Sequence, residues 1–321
     1  MKPIIVTGGA GFIGSNIVAA LNQRGIDNIT IVDRLGSGEK WKNLRGLRYD
    51  NYLDKDEFIT AIRTGDKPCK ASAIIHMGAC SATTERDADY LMRNNYQYTR
   101  DLCDWALQHE ARFITASSAA TYGDGALGYS DEDAVTPTLQ PLNMYGYSKQ
   151  LFDEWALRHN VYTRIVGLKF FNVFGPRETH KGDMRSVAHK AYHELKERHT
   201  ISLFRSDRAE YADGEQKRDF IYVKDAVDVV LFFLDNPKAN GLFNCGTGQA
   251  QSWLALARAI FKATGQPENI NWIDMPPALV GKYQYFTQAD AQKLRAAGYN
   301  KPFTPLDDSV ADYVRWMKTQ G

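Results

Sequence analysis

The chain reads as an α/β protein: a Rossmann-type, doubly wound parallel sheet followed by a smaller C-terminal α/β substrate domain. Three observations lead there. The first residues run strand, glycine-rich turn, helix, strand, acid. That strand–helix alternation then continues to about residue 168. The residues able to do chemistry fall at the carboxyl ends of the predicted strands, where open α/β sheets bind their ligands.

Residues 3–7 form a short apolar run followed at once by glycines at 8, 9, 11 and 14. A helical stripe follows, with Ile13, Ile17, Val18 and Leu21 on one side and Gly25 as its stop. Residues 29–33 are a second strand that ends in Asp33. Gly8, Gly11 and Gly14 suit a tight turn, close approach to a pyrophosphate and helix-on-strand contact. The helix start adds unpaired N–H groups and a positive dipole end. In this setting the glycines and Asp33 predict dinucleotide binding.

The alternation goes on with a weak strand near Leu47, a helix over 54–62 and a strand over 71–75. A turn at 76–80, a helix over 90–107 and a strand over 112–118 follow. Residues 119–143 are polar, with Gly, Asp and Pro, and read as a long loop over the site. A helix from 145 to about 159 and a strand over 164–168 complete this half. Beyond it the rhythm breaks. Residues 170–177 form an apolar turn closed by Gly-Pro; 184–196 is an amphipathic helix, 201–204 a short strand and 206–216 a charged surface loop. A strand over 217–223 and a helix over 225–234 return against the sheet, and small elements lie at 252–265, 271–273, 290–297 and 305–317. This organisation predicts a cofactor domain over 1–170, with returning segments near 217–250, and a mainly substrate-binding domain over 171–321.

Composition narrows the class. The chain has 321 residues, 44% hydrophobic and 24% charged, which is ordinary for a globular protein with ample core. A net charge of +1 argues against a nucleic-acid or membrane-surface partner. The cysteines, Cys69, Cys80, Cys103 and Cys245, are scattered, and neither they nor the seven histidines show metal-ligand spacing. No metal is expected. With no room for a signal peptide before the first strand and no long apolar run, a cytoplasmic protein is expected.

Residues 144–149 carry the acid–base chemistry. On a helix, Tyr145 and Lys149 are four residues apart and share a face. Tyr147 is turned away by about 200°. A nearby ammonium favours tyrosinate, so Lys149 is expected to lower the Tyr145 pKa from about 10.

Residues 7–14, Ser118, and Tyr145 with Lys149 together resemble the extended short-chain dehydrogenase/reductases, which act on nucleotide sugars. In that family the Ser or Thr hydroxyl hydrogen-bonds the reacting oxygen, Tyr transfers a proton, and Lys lowers the Tyr pKa and holds the nicotinamide ribose. The motifs at 78–81, 94–98, 116–123, 171–178, 180–182, 217–220, 243–248, 283–290 and 294–299 extend the likeness over nearly the whole chain. They are similar to the ADP-heptose epimerases within that family. The resemblance implies an isomerase that inverts carbon six of the heptose for lipopolysaccharide core synthesis. It also implies catalytically bound NADP and a ring-shaped homo-oligomer, usually a pentamer.

Residue by residue, the resemblance places the cofactor at Gly8, Gly11, Phe12, Ile13, Gly14, Asp33, Arg34, Lys40, Lys55, Met77, Gly78, Ala79, Cys80, Ser81, Asn94, Tyr145, Lys149, Val173 and Lys181. It places the substrate at Ser118, Asn172, Asp183, Lys190, Phe204, Arg205, Ser206, Asp207, Arg218 and Tyr283. Ser118, Tyr145 and Lys149 are the implied catalytic group, with Lys181 as a second base. Three positions depart from the family pattern. Met77 stands where Glu is usual, Arg34 replaces the usual Asn, and Lys190 occupies the place of a substrate-contacting His, for which His189 and His193 are the alternatives. Asp183 falls at a variable position of the substrate loop.

Rival readings share the fold. A 4,6-dehydratase needs an Asp-Glu pair after the catalytic Ser/Thr, whereas Ala119 and Ala120 follow Ser118. A UDP-sugar 4-epimerase has no use for Lys181. A non-catalytic NADP-sensing protein typically loses the Tyr or the Lys, and this chain keeps both.

Overall fold

A computed structural model describes residues 3–66, 70–276 and 284–319. Its centre is a seven-stranded parallel sheet in the order β3-β2-β1-β4-β5-β6-β10. The strands are β1 (Ile4–Thr7), β2 (Ile29–Asp33), β3 (Asn51–Asp54), β4 (Ala73–His76), β5 (Arg112–Ser118), β6 (Val166–Phe170) and, after three strands of other sheets, β10 (Gly241–Cys245). Every residue of β1, β2, β4 and β6 is buried, as expected of parallel strands covered on both faces.

Alternate side chains feed two cores, one on each face. Ile4, Val6, Ile31 and Ile75 share one core with helix α1 (Phe12–Gln23). Ile5, Val32, Ile74 and Phe113 point to the other, with Phe58 of α2 (Lys55–Arg63), Leu102, and Phe152 and Trp155. Leu102 lies in a long helix built from α3 (Ala88–Leu91), a π-helical stretch (Met92–Gln97) and α4 (Tyr98–Gln108). Phe152 and Trp155 belong to α5 (Met144–Arg158).

Strand order reverses between β1 and β4, and that is where a doubly wound sheet opens its crevice. A three-stranded sheet pairs β7 (Asn172–Phe174), β9 (Lys217–Tyr222) and β11 (Ala250–Ser252), and a two-stranded one pairs β8 (Ile201–Phe204) with β12 (Ile270–Ile273). Helices α6 (Val187–Arg198), α8 (Trp253–Thr264) and α10 (Leu306–Lys318) pack against them, α7 (Val223–Asp235) bridges them to α1 and β5, and α9 (Gln292–Ala296) meets β10. Val223, Leu256 and Tyr313 carry the core of the large sheet into this part.

Several sequence expectations shift. The strand expected near Leu47 lies at Asn51–Asp54, because β3 is the sheet edge and lacks an apolar run. Asp54 ends it and caps α2, accepting from the Asp56 N–H at 2.8 Å. The helix expected over 90–107 contains the π-helical stretch, and the turn expected over 170–177 contains β7. The strand expected over 164–168 begins two residues later, after a 3-10 turn at Val161–Thr163. Among the described residues, no helix is long and apolar enough to cross a membrane.

Candidate active site

A cleft of about 500 Å³ opens at the β1/β4 crevice. It is lined by Gly8, Gly11, Phe12, Ile13, Gly14, Asp33, Arg34, Lys40, Lys55, residues 77–81, Asn94, Tyr145, Lys149 and Lys181. These are the expected cofactor residues with the exception of Val173, which lies on β7 and packs against the core.

The floor fits a dinucleotide. Helix α1 starts at Gly11 with no side-chain cap and no acid in its first turn, leaving its N–H end for a phosphate. A Cβ at Gly14 would sit 2.1 Å from the Gly8 carbonyl oxygen, so only glycine lets the helix settle this close to the turn. Asp33 is buried at the end of β2 and accepts from the Ala10 N–H at 2.8 Å and the Arg34 N–H at 2.7 Å. Lys40 forms an ion pair with the same carboxylate, while Arg34 is exposed beside it.

Asn95, in the π-helical stretch, holds the opposite wall. Its side chain bonds both the N–H and the carbonyl of Cys80, at 2.9 and 3.0 Å, and the Ser148 hydroxyl at 3.0 Å. The π-helical stretch thus ties the 77–81 turn to α5, a usual place for such a bulge. Beneath the turn, Thr7 Oγ1 meets His76 Nδ1 at 2.6 Å and Thr99 Oγ1 meets Nε2 at 2.9 Å. Burial, with the Lys149 charge adding to it, pushes His76 down to about 3, so the imidazole is neutral.

The residues expected to form the acid–base group sit where β5 and α5 meet. Asn143 caps α5, accepting from the Gly146 N–H at 2.8 Å, and so places Tyr145 in the first turn. A Cβ on Gly146 would lie 2.7 Å from the Ala120 carbonyl oxygen, so the glycine lets α5 press onto the turn after Ser118. Ser118 there hydrogen-bonds the Tyr145 phenol. Lys149 is buried and donates to the Ala116 carbonyl at 2.8 Å. Burial lowers it to about 8, against the upward pull of Asp153 and Cys80.

The expected lowering of the Tyr145 pKa by Lys149 is not what this structure has. Burial raises the phenol, Ser118 pulls it back, and Cys80 adds a smaller upward push. Four-residue spacing gives a shared face, but it does not reveal that Lys149 is buried or that the walls around the half-buried Tyr145 desolvate its phenol.

Two side-chain groups lie outside what spacing could find. Asp153, one turn beyond Lys149, is buried and accepts from Ser117 and Tyr162, each at 2.6 Å, with Lys169 at 3.8 Å. Lys169 is itself buried and donates to Thr121 Oγ1 at 3.0 Å. His180 and Met184 also line the cleft. His180 stands in the motif at 180–182 but had no assigned role.

Lys181 reaches the cleft from a turn at Thr179–Met184, with its ammonium 5.3 Å from the centre of the Phe12 ring. Burial lowers its pKa, partly offset by Glu178. It therefore faces the same space as Tyr145 from another element.

Apart from Ser118, the expected substrate residues described by the structure lie beyond this cleft. Asn172 is exposed on β7 opposite Phe220 of β9, two residues from Arg218. Arg218 is buried, lies 5.6 Å from the Trp253 ring centre and donates to the Lys217 carbonyl at 2.9 Å. Phe204 ends β8, and the turn after it is fixed by Ser206 N–H to Asp213 at 2.8 Å and Asp207 N–H to Tyr285 at 3.0 Å. Arg205 pairs with Asp213 at 3.2 Å. Asp183 is exposed, and Lys190 lines a separate groove with His189 and His193. Tyr283 lies outside the described residues. Among the described residues no cluster of His, Cys, Asp and Glu is fit to hold a metal ion.

The sequence pattern described as the NAD dependent epimerase/dehydratase family matches residues 4–246. The chain belongs to this family. A relative from Nitratidesulfovibrio vulgaris (strain DP4), named ADP-L-glycero-D-manno-heptose-6-epimerase, is 57% identical over 97% of this chain and 96% of its own. One of the same name from Fusobacterium nucleatum subsp. nucleatum is 47% identical over 97% of each. The crystal structure of the Helicobacter pylori protein of that name superposes with a TM-score of 0.82 at 27% identity, covering 99% of this chain and 96% of that one. Family membership and the glycine cradle both bring a nicotinamide cofactor to the cleft.

Proposed function

We propose that the chain is an isomerase that converts ADP-D-glycero-β-D-manno-heptose to ADP-L-glycero-β-D-manno-heptose by inverting carbon six, with NADP as its bound cofactor. The observation that carries this reading is the placement of Tyr145 and Lys181, from two different elements, on one cleft beside the glycine turn. The names of relatives 47–57% identical over nearly the full length support the substrate. A UDP-sugar 4-epimerase is less well supported, since it would leave Lys181 without a task.

Carbon six has no neighbouring carbonyl, so its hydrogen is not acidic and direct deprotonation is disfavoured. When bound, the nicotinamide supplies a reversible hydride acceptor, through which the centre can become flat and be rebuilt from its other face. The residues must then serve the sugar oxygen in two orientations. Tyr145 takes and returns its proton in one, helped by the Ser118 hydroxyl. Lys181, whose ammonium burial makes easier to deprotonate, does so in the other. Lys149 would hold the ribose and Gly8, Gly11 and Gly14 the pyrophosphate. Arg34 and Lys40 would meet a 2′-phosphate beside Asp33.

The substrate's ADP-sugar end then falls to Asn172, Phe204 to Asp207 and Arg218, with Asp183, Lys190 and Tyr283 as the further expected contacts. Residues 171–321 serve mainly as the substrate domain in this reading. A cytoplasmic place in lipopolysaccharide core synthesis and a ring-shaped homopentamer accompany it. Incubating the protein with ADP-D-glycero-β-D-manno-heptose and resolving the two epimers tests it; an unchanged sugar in the presence of NADP would refute it.

A further inference from the structure

Glu178 is fully buried and belongs to none of the groups assigned above. Its carboxylate accepts from four donors: the Gly175 N–H at 3.2 Å, the Ser186 N–H at 2.5 Å, the Ser186 hydroxyl at 2.7 Å and the Tyr313 hydroxyl at 2.9 Å. The first three close residues 175–186 into a loop with Lys181 near its middle. The fourth fixes that loop to α10, an element remote in sequence from the cleft. Its main chain takes part too, since the Lys181 N–H donates to the Glu178 carbonyl at 3.0 Å.

The other side of the loop is fastened to the glycine turn. Asn43 Nδ2 lies 3.0 Å from the carbonyls of Arg177 and Ala10 and from His180 Nδ1. Asn16 Nδ2 donates to the Pro176 carbonyl at 2.9 Å. Lys181 is thus held between α1 and α10, over Phe12.

We infer that Glu178 is a positioning residue for Lys181, and that its bond to Tyr313 makes α10 part of the device that presents the ammonium to the cleft. The inference rests on reading Lys181 as the second acid–base group. The charged surroundings agree with it. Glu178 is the carboxylate acting on Lys181, and it opposes the effect of burial. His180, on the same turn, is held low by burial, Lys40 and Lys181, with Asp33 opposing. Tyr145 and Lys149 line the same cleft as Lys181, and Arg185, near the end of the loop, acts on Tyr313.

The test uses the full-length protein as Glu178→Gln and Tyr313→Phe. Its main readout is the titration of Lys181, followed by NMR after ¹³C-methylation of lysines and identified by the signal missing from Lys181→Met. The expected result is a Lys181 midpoint lowered by about half a pH unit or more in Glu178→Gln, because the counter-charge is gone. Turnover should fall about tenfold or more with KM changed little, because the acid–base group is misplaced. Tyr313→Phe keeps the counter-charge but frees the loop from α10, so the Lys181 midpoint should move measurably and turnover should fall by a smaller factor with KM changed little; it carries the test alone if Glu178→Gln does not fold. A Lys181 titration that superposes on that of the unmodified protein in the folded variants would overturn the inference even if turnover fell, since Glu178 would then be a structural anchor only. Lys181→Met with normal epimerisation would instead refute the acid–base reading, while the titration would still decide the positioning.

Discussion

The Lys181 ammonium stands 5.3 Å from the centre of the Phe12 ring, so the loop after β7 closes onto the first residue of α1. Contact between this lysine and the glycine-turn helix puts the group proposed as the second acid–base residue on the same cleft as Tyr145. It also gives Lys181 a hydrophobic, cation-binding neighbour that water alone would not supply.

Removing either group should therefore abolish most turnover without disturbing the fold. Tyr145→Phe and Lys181→Met are each expected to lose roughly 10²–10⁴ in epimerisation rate, the usual worth of a positioned acid or base. Both should keep a cooperative thermal transition and bind NADP. Lys181→Met that epimerises within a few-fold of the unmodified protein would place the second base elsewhere.

The glycine turn, Asp33 and the Tyr145–Lys149 pair can be read from residue order, because local spacing generates them, whereas Ser118, Lys181 and the rest of the cleft lining rest on the family resemblance. The strand, glycine turn, helix and acid at 4–33 are contiguous, and strands such as β1 and β2 announce themselves by short runs rich in Ile and Val. The edge strand β3 has no such run and is displaced in the sequence reading. β7 and β11 have three residues each, too few for a period to show. What remained hidden is long-range. The Asp153–Lys169 pair, and the Glu178–Tyr313 bond that spans much of the chain, leave no local pattern. Desolvation is hidden for the same reason, and so the direction of the Tyr145 shift was misread.

Cofactor choice should depend on the cations beside Asp33. Lys40 already pairs with that carboxylate and Arg34 is exposed next to it, so a 2′-phosphate would find two positive groups. Lys40→Ala and Arg34→Ala are each expected to weaken NADP binding by about tenfold to a hundredfold, the worth of one charge-assisted contact. NAD binding should change little. Calorimetry on both cofactors checks this, and equal losses for NAD and NADP would contradict it.

Arg218 should matter to substrate and not to cofactor. It is buried at the start of β9, stacked near Trp253, and away from the residues that line the cofactor cleft. A guanidinium held this way suits bidentate contact with a pyrophosphate. Arg218→Ala is expected to raise KM for the ADP-heptose by about tenfold or more, since contacts to charged groups are worth roughly 1.5–3 kcal/mol. Its NADP affinity should stay within a few-fold. An unchanged KM would remove Arg218 from the substrate site.

Acid stability should report the neutral imidazole under the glycine turn. His76 is held at about 3 by burial and by Lys149, against an ordinary 6.5. Between those two values the unfolded chain binds a proton that the folded one refuses, so stability rises with pH across this window and is lost on acidification. The loss from this one group has a slope of up to about 1.4 kcal/mol per pH unit. His180 and His189, both lowered to about 4 mainly by burial, add to it with the same sign. His76→Gln keeps groups able to bond Thr7 and Thr99 but cannot titrate. Denaturant unfolding at a series of pH values should therefore give curves for the two proteins that run parallel above pH 6.5 and converge or cross below it, the Gln variant losing stability more slowly. If the curves stay parallel down to pH 3, His76 is not the group that refuses the proton.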